Sequence, residues 1–112
     1  MQRGEIYWVN LDPVVGKETG KIRPCLIVSN NVNNEEAGTV TVLPITSKVQ
    51  KVYPFEVLIK AKEGGLTSDS KVKANQIKTI DKSRIKNFLG VISSESLEKV
   101  EWAVKIHLGL EI

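Results

Sequence analysis

The sequence predicts a small, mainly β protein of the SH3-like barrel class that ends in one α-helix. Short runs rich in β-branched and aromatic residues recur along the chain, separated by turns that contain glycine, proline or asparagine. Apolar residues at helical spacing occur near the C-terminus. The chain has 112 residues, 41% of them hydrophobic, which suffices for one core and is too short for two domains. We therefore predict a single domain over residues 1–112.

The predicted strands are bounded by turn residues. They cover residues 5–10, 24–29, 39–45, 55–59 and 71–79, the last with one irregularity, and residues 84–91 form a short strand or turn. The run 24–29 is almost wholly apolar, which is typical of a strand buried on both faces. Pro44 is expected to mark a bulge or an edge, because proline cannot donate to the hydrogen-bond ladder.

The segments between the strands are predicted to be loops and turns. Residues 14–22 carry two glycines and three charges, so we expect a flexible, exposed loop with a functional role. Residues 30–38 are polar and predict a turn, and residues 61–70 contain a pair of glycines typical of a loop.

The C-terminal segment is predicted to be a helix that begins at Ser93 or Ser94, with Glu95 in the first turn, where the helix dipole favours an anion. One apolar stripe should pack on the sheet and consists of Leu97, Val100, Ala103, Val104 and Leu108. A second stripe consists of Trp102, Ile106 and Leu110. It indicates either a partner surface, such as a homodimer contact, or a barrel that wraps round the helix.

Charge is distributed unevenly along the chain, whose net charge is +3. Residues 48–86 hold ten Lys and Arg against four Asp and Glu, whereas the segments on either side are net negative. Such a segment is typical of a phosphate-binding face, but a lysine-rich solvated surface has the same composition. Charge alone therefore leaves both interpretations open.

The single cysteine bears on whether the chain has a reactive thiol and on the cellular compartment in which it can fold. Cys25 lies in the apolar run CLIV, so we interpret it as a buried strand residue without chemistry, and no intrachain disulfide can form. No apolar run has the pattern of a signal peptide or the length of a membrane span. The prediction is a cytoplasmic protein without membrane association.

Several familiar catalytic patterns are missing. The segment GKETGK does not complete the phosphate-binding pattern G-x-x-x-x-G-K-[ST]. One histidine and one cysteine cannot assemble a zinc site, a cysteine–histidine pair or a two-histidine ribonuclease mechanism. We therefore predict no metal and no cofactor, and we interpret His107 as a packed or helix-surface residue.

Four motifs follow one another along the chain: RGEIYWVNLDP, the loop GKETGKIRP, the strand end PITS and the segment QIKTID. Together with the ending SSESLEKVEWAVKIHLGL, they resemble the MazF/PemK/Kid family of toxin endoribonucleases over nearly the full length. The resemblance implies a MazF/Kid/CcdB-like toxin fold that forms a homodimer. It also implies metal-independent cleavage of single-stranded RNA at a short sequence, and inhibition by a partly disordered antitoxin protein.

The resemblance also implies a set of catalytic residues. Cleavage in this family proceeds by attack of the 2′-hydroxyl on the adjacent phosphate, which leaves a 2′,3′-cyclic phosphate and a 5′-hydroxyl. The family's motif arginine matches Arg23, whose guanidinium suits the charge that develops on the phosphate oxygens. The catalytic threonine matches Thr46, whose hydroxyl can donate but cannot act as a base, and Ser47 is expected to assist.

The choice of general base depends on Asn75, a position at which this chain differs from some members of the family. Some members carry a carboxylate at the position of Asn75, which cannot take a proton. Glu18, which matches a loop glutamate of the family, is therefore the predicted base. Of the rings of Tyr7, Trp8 and Phe55, we expect Phe55 to be the exposed one that stacks on bases. The predicted RNA-binding residues are Lys17, Ser47, Lys51, Phe55, Lys73, Asn75 and Gln76.

Two functions of other classes remain open at this point. The same fold also carries a toxin that poisons DNA gyrase without nuclease activity, in which case residues 102–112 would carry the activity. A module that binds RNA or protein and has lost catalysis is the other alternative, and Asn75 is the reason to keep it.

Overall fold

The computed structural model describes residues 1–111, and Ile112 lies outside the described residues. Within residues 1–111 the chain forms seven β-strands and two α-helices. The strands are β1 (Glu5–Asn10), β2 (Ile22–Ile27), β3 (Thr39–Thr46), β4 (Glu56–Ile59), β5 (Ser70–Lys73), β6 (Lys78–Asp81) and β7 (Ile85–Val91). The helices are α1 (Asn31–Glu36) and α2 (Ser94–Leu108), and three 3-10 turns cover Glu63–Gly65, Ala74–Gln76 and Lys82–Arg84.

The strands form one antiparallel sheet in the order β4-β5-β3-β2-β1-β7, with β6 also paired to β3. The prediction of a mainly β protein with a C-terminal helix is confirmed. The sheet does not close into a barrel, because within residues 1–111 no pairing joins β4 to β7. The turn Glu63–Gly65 lies against β7 instead: a Cβ on Gly65 would lie 2.2 Å from the carbonyl oxygen of Leu89. Only glycine fits there, since Gly65 also has a φ of +79°.

The segment predicted as one strand over residues 71–79 is two strands with a turn between them. β5 pairs with the end of β3, where Ile45 lies opposite Val72, and β6 pairs with its beginning, where Val42 lies opposite Lys78. The 3-10 turn Ala74–Gln76 moves the chain from one position to the other. The prediction of a single strand is therefore wrong, because both halves follow the same edge of β3.

Pro44 lies inside β3 and is buried, so it does not mark an edge strand. The backbone N–H of Val28 donates to the carbonyl of Thr41 at 3.0 Å, so the backbone hydrogen-bonding groups of Thr41 point towards β2. The backbone groups of successive strand residues point to alternate neighbouring strands. The backbone nitrogen of Pro44 therefore points to the other edge of β3, into the gap between β6 and β5. A missing N–H at that place costs no ladder hydrogen bond.

Two apolar clusters pack on opposite faces of the sheet. One lies under α2 and includes Ile6, Leu26 and Leu43, and the other includes Val9 and Cys25. Residues 25–27 have no exposed surface, which confirms that this strand is buried on both faces. Burial raises the pKa of the Cys25 thiol to about 12, so the thiol stays protonated at neutral pH.

Helix α1 occupies part of the segment predicted as a turn. The side chain of Asn30 accepts from the backbone N–H of Asn33 at 2.8 Å and caps the helix. The amide of the buried Asn34 donates to the carbonyl of Ser29 at 2.9 Å. The polar side chains that indicated a turn thus supply the hydrogen bonds of a short helix.

Helix α2 begins after Ser93, whose hydroxyl accepts from the backbone N–H of Ser96 at 3.1 Å. Of the predicted packing stripe, Val100 and Ala103 are buried, but Leu108 is 49% exposed at the end of the helix. The second stripe of Trp102, Ile106 and Leu110 is exposed, so the sheet does not wrap round the helix. No helix within residues 1–111 is both long and apolar enough to cross a membrane.

Candidate functional site

Arg23 and Thr46 meet at one end of the sheet. Arg23 lies near the start of β2 and Thr46 at the end of β3, and these strands run antiparallel. The last pairing between them joins Cys25 to Pro44, and the same register continued by two residues places Arg23 opposite Thr46. Both residues line one pocket with a volume of about 240 Å³. Two of the three predicted catalytic residues are therefore brought together.

The guanidinium of Arg23 is available for a ligand. The ion pairs of the described residues involve Arg3, Lys71, Lys73 and Lys99 as cations, and none of them involves Arg23. Arg23 is also exposed. An exposed, fork-shaped cation of this kind matches two oxygens of a phosphate.

The hydroxyl of Thr46 is oriented by the turn that follows β3. Its oxygen accepts from the backbone N–H of Lys48 at 3.2 Å. That bond leaves the hydroxyl hydrogen free to donate to a bound oxygen. Ser47 is exposed and lines the same pocket, so a second hydroxyl lies beside the first.

Glu18 lies in a different pocket, of about 330 Å³, together with Asn75 and Gln76. Neither Arg23 nor Thr46 lines this second pocket. The carboxylate of Glu18 accepts from the backbone N–H of Val15 at 2.9 Å, within its own loop. The structure therefore does not place the predicted base beside the arginine and threonine.

The loop that carries Glu18 is tied to the turn Ala74–Gln76. The side-chain oxygen of Gln76 accepts from the backbone N–H of Thr19 at 3.2 Å, and its amide nitrogen donates to the carbonyl of Lys17 at 3.5 Å. At the base of the loop, Arg84 donates to the carbonyls of Asn10 and Asp12. Gln76 is thus occupied by the loop backbone, while the Lys17 side chain is exposed.

The resemblance places Asn75 at a position expected to hold a carboxylate in some family members. Its side-chain oxygen is buried and has no hydrogen-bond partner among the residues that the structure describes. A charged oxygen in that place would lack donors, and burying an unpaired charge is costly. The local environment therefore suits the neutral amide of this chain.

A buried charge cluster supports the loop between β3 and β4. The ammonium of Lys71 lies 2.9 Å from a carboxylate oxygen of Glu56 and donates to the carbonyl of Lys51 at 2.6 Å. Glu56 also accepts from the backbone N–H of Tyr53 at 3.0 Å. Lys73 lies 3.9 Å from the second carboxylate oxygen. Lys73 is therefore partly engaged by Glu56, and Lys51 is held through its backbone.

The aromatic side chains differ from the prediction. Phe55 is half-buried, and its ring stacks on that of Tyr53 with a centroid distance of 5.2 Å. Tyr7 is also half-buried and contacts the edge of Phe88. Trp8 is 38% exposed and lines the pocket of Arg23. The prediction that Phe55 is the exposed ring of the three is wrong, because the neighbouring Tyr53 covers it.

The sequence gives no signal for several other residues of the Arg23 pocket. Its remaining walls come from the loop before β5 and from β7, and include Leu66, Thr67, Ser68 and Leu89. Only the folded chain brings these segments beside β1 and β2. Among residues 1–111, no group of three or more His, Cys, Asp or Glu side chains lies close enough to hold a metal ion.

The chain is similar to known proteins over almost its entire length. A family model described as PemK-like, MazF-like toxin of type II toxin-antitoxin system matches residues 2–108. The chain is 43% identical over 115 residues to the endoribonuclease MazF9 of Mycobacterium tuberculosis, and the match covers 98% of each chain. It is 39% identical over 111 residues to the endoribonuclease EndoA of Bacillus subtilis, covering 98% of this chain and 96% of the relative.

Solved structures show the same fold. MazF from Deinococcus radiodurans superposes with a TM-score of 0.86 at 30% identity, covering 98% of this chain and 97% of that one. An endoribonuclease from a Mycobacterial species, in complex with its cognate antitoxin, superposes with a TM-score of 0.82 at 27% identity, covering 100% and 98%. On its sequence and its fold, this chain belongs to the PemK-like, MazF-like toxins of type II toxin-antitoxin systems.

Proposed function

We propose that this toxin is a sequence-specific endoribonuclease that cleaves single-stranded RNA, including mRNA, in the cytoplasm without a metal ion. The observation that carries the proposal is the meeting of Arg23 and Thr46 at one pocket. Both side chains suit a phosphate group, one by charge and the other by a hydroxyl donor. Relatives of the chain that are named endoribonucleases support the same activity.

The chemistry is an internal transfer at phosphorus. The 2′-oxygen of one ribose forms a bond to the adjacent phosphorus, and the bond from phosphorus to the 5′-oxygen of the next nucleotide breaks. The products are a 2′,3′-cyclic phosphate and a 5′-hydroxyl. Arg23 stabilises the negative charge on the non-bridging oxygens, and the hydroxyl of Thr46 donates to one of them.

The proton of the 2′-hydroxyl passes to a general base, and solvent water supplies the proton that the departing 5′-oxygen takes up. Glu18 is our proposed base, although its carboxylate now binds the N–H of Val15 in its own loop. The loop therefore has to rearrange around bound RNA for Glu18 to reach the reacting group. Lys17, Ser47, Lys51, Phe55, Lys73, Asn75 and Gln76 are the proposed RNA contacts beyond the catalytic residues.

Cleavage of a long single-stranded RNA, mapped by sequencing of the ends, tests this function. We expect cuts at a recurring short sequence, equal rates with and without EDTA, and 5′-hydroxyl ends. Replacing the ribose at a mapped cut by 2′-deoxyribose should abolish that cut, because the nucleophile is then absent. Intact RNA, or 5′-phosphate ends, would contradict the proposal. Inhibition of DNA gyrase without RNA cleavage would establish a gyrase-poisoning toxin instead. RNA binding without cleavage would establish an RNA-binding module that has lost catalysis.

An antitoxin is the proposed protein partner, and a structural neighbour was solved in complex with its cognate antitoxin. We expect an acidic, partly disordered antitoxin segment to cover the basic surface that RNA needs. Adding purified antitoxin should displace a labelled, uncleavable RNA from the toxin, with less displacement at high salt. Stable simultaneous binding of antitoxin and RNA would refute the proposal that they bind the same surface of the toxin.

The toxin is also proposed to form a homodimer. Trp102 and Ile106 on α2 are exposed, as is Leu110 just beyond the helix, and they support an association surface, since exposed apolar patches commonly mark interfaces. Sedimentation equilibrium reports the mass of the assembly directly. A mass of one chain at every concentration tested would reject the dimer.

A further inference from the structure

The pocket beside Arg23 has a floor built from three neighbouring strands. Trp8 lies opposite Pro24 in the pairing of β1 with β2. The pairing of β2 with β3, continued by one residue from Cys25 and Pro44, places Pro24 opposite Ile45. Residues opposite one another in an antiparallel sheet share a face, so Trp8, Pro24 and Ile45 form one row. Ile45 is buried, whereas Trp8 is 38% exposed and lines this pocket.

The walls of the pocket come from the segment before β5 and from Leu89 of β7. The hydroxyl of the buried Ser70 donates to the carbonyl of Ser68 at 2.9 Å, which holds this segment in place. The side chains of Thr67 and Ser68 are exposed and line the pocket. The pocket thus combines a fixed apolar floor with neutral hydroxyl groups on one side.

The charges at the pocket are all positive. Arg23 and Lys48 line it, and no Asp or Glu does so among the described residues. A suitable ligand is therefore a flat, uncharged ring with polar edges, joined to an anionic group. A nucleobase joined to its phosphate has this chemistry, and exposed aromatic side chains are common stacking partners for unpaired bases. The volume of about 240 Å³ lies below the range of roughly 300–1,000 Å³ for drug-sized ligands, which fits one base.

We propose that this pocket holds the nucleobase next to the phosphate on which Arg23 acts, with the base stacked on the indole of Trp8. This inference rests on the proposed function, because the base belongs to the RNA that is cleaved. Tyr53 and Phe55 are less suited to the role, since their rings stack on each other and Lys51 lies 4.7 Å above Tyr53. Trp8 is then a determinant of affinity and of base preference.

Tryptophan fluorescence tests the contact without altering the pocket. The chain contains two tryptophans, so a Trp102→Phe background leaves Trp8 as the reporter, and sedimentation equilibrium must give this background the same mass as the parent protein. The probes are four 2′-O-methyl-RNA hexamers, each made of a single base, which cannot be cleaved because they lack the nucleophile. Stacking should quench the emission of Trp8 in a saturable manner. The strongest quenching is expected for the base that borders the mapped cleavage site.

Binding measurements on variants give a second, independent test. Trp8→Leu should weaken binding of the preferred hexamer roughly tenfold, and Trp8→Phe should restore most of it. Phe88→Leu is the matched control, since Phe88 is 53% exposed but does not line this pocket, and it should change affinity less than twofold. The same Trp8→Leu variant should raise KM for RNA more than it lowers kcat.

The two proposals can fail separately. Saturable binding of a hexamer without a change in Trp8 emission, or equal affinity of Trp8→Leu and the parent protein, would overturn the base pocket while leaving RNA cleavage intact. Quenching of Trp8 by a protein that cuts no RNA would support the pocket and reject the nuclease.

Discussion

Replacing Arg23 by alanine is expected to lower the rate of RNA cleavage by roughly 1,000-fold, the scale found when a positioned donor for transition-state charge is removed. The physical reason is that Arg23 lines the same pocket as Thr46, is exposed, and has no carboxylate partner among the ion pairs of residues 1–111. Its charge is therefore available to the phosphate. The measurement is the single-turnover rate with a labelled RNA that contains one mapped site.

Two further variants separate charge from geometry. Arg23→Lys keeps the positive charge but loses the planar fork, so its rate should fall between those of the parent and Arg23→Ala. Lys105→Ala is the matched control, because it removes one positive charge from α2 at a groove that Arg23 does not line. It should leave the rate within about twofold, as expected for a distant, screened surface charge. Equal rates for Arg23→Ala and Lys105→Ala would show that Arg23 has no special part in the reaction.

The largest expected effect on stability is at Glu56. Its side chain is 2% exposed and that of Lys71 is 10% exposed, and the two charged groups lie 2.9 Å apart. Glu56→Gln leaves the Lys71 ammonium buried without its main counter-charge, which should reduce the free energy of unfolding by about 3–5 kcal/mol. Glu56 also binds the N–H of Tyr53, so the loop that carries the Tyr53 and Phe55 stack should loosen as well.

Urea denaturation of three variants measures this effect. The double variant Glu56→Gln/Lys71→Met removes the unpaired charge and should recover much of the lost stability. The control is Glu95→Gln, which breaks an exposed pair with Lys99 on α2 and should cost less than about 1 kcal/mol. A loss for Glu56→Gln no larger than for Glu95→Gln would contradict the argument that burial makes this pair important.

Features that depend on nearby residues could be predicted from the sequence. The apolar run around Cys25 predicts a strand buried on both faces, and the structure confirms this. The sequence predicts a helix cap at Ser93 or Ser94, and the hydroxyl of Ser93 accepts from the backbone N–H of Ser96 at the start of α2. Such features can be read from a sequence because side-chain periodicity and capping act within a few residues.

Features that depend on distant partners could not be predicted in this way. Residues 71–79 have the composition of one strand, yet they divide because β3 offers two separate pairing positions along one edge. Glu56 carries no local sign of a buried ion pair, since its partner Lys71 is fifteen residues away. The placement of Glu18 in another pocket likewise depends on the hydrogen bonds between its loop and Gln76.

The amino-acid sequence predicts the mainly β fold with its C-terminal helix, the family, and the pair Arg23 and Thr46, which the structure places at one pocket. Its motifs include Arg23 and Thr46 because each lies in a short segment with its own pattern. The surface that surrounds these two residues follows from long-range packing of the folded chain. Trp8, Thr67 and Leu89 come from three distant segments, and their meeting depends on strand register and on the close approach of Gly65 to β7. A pocket is built by long-range packing, and local sequence patterns do not encode it.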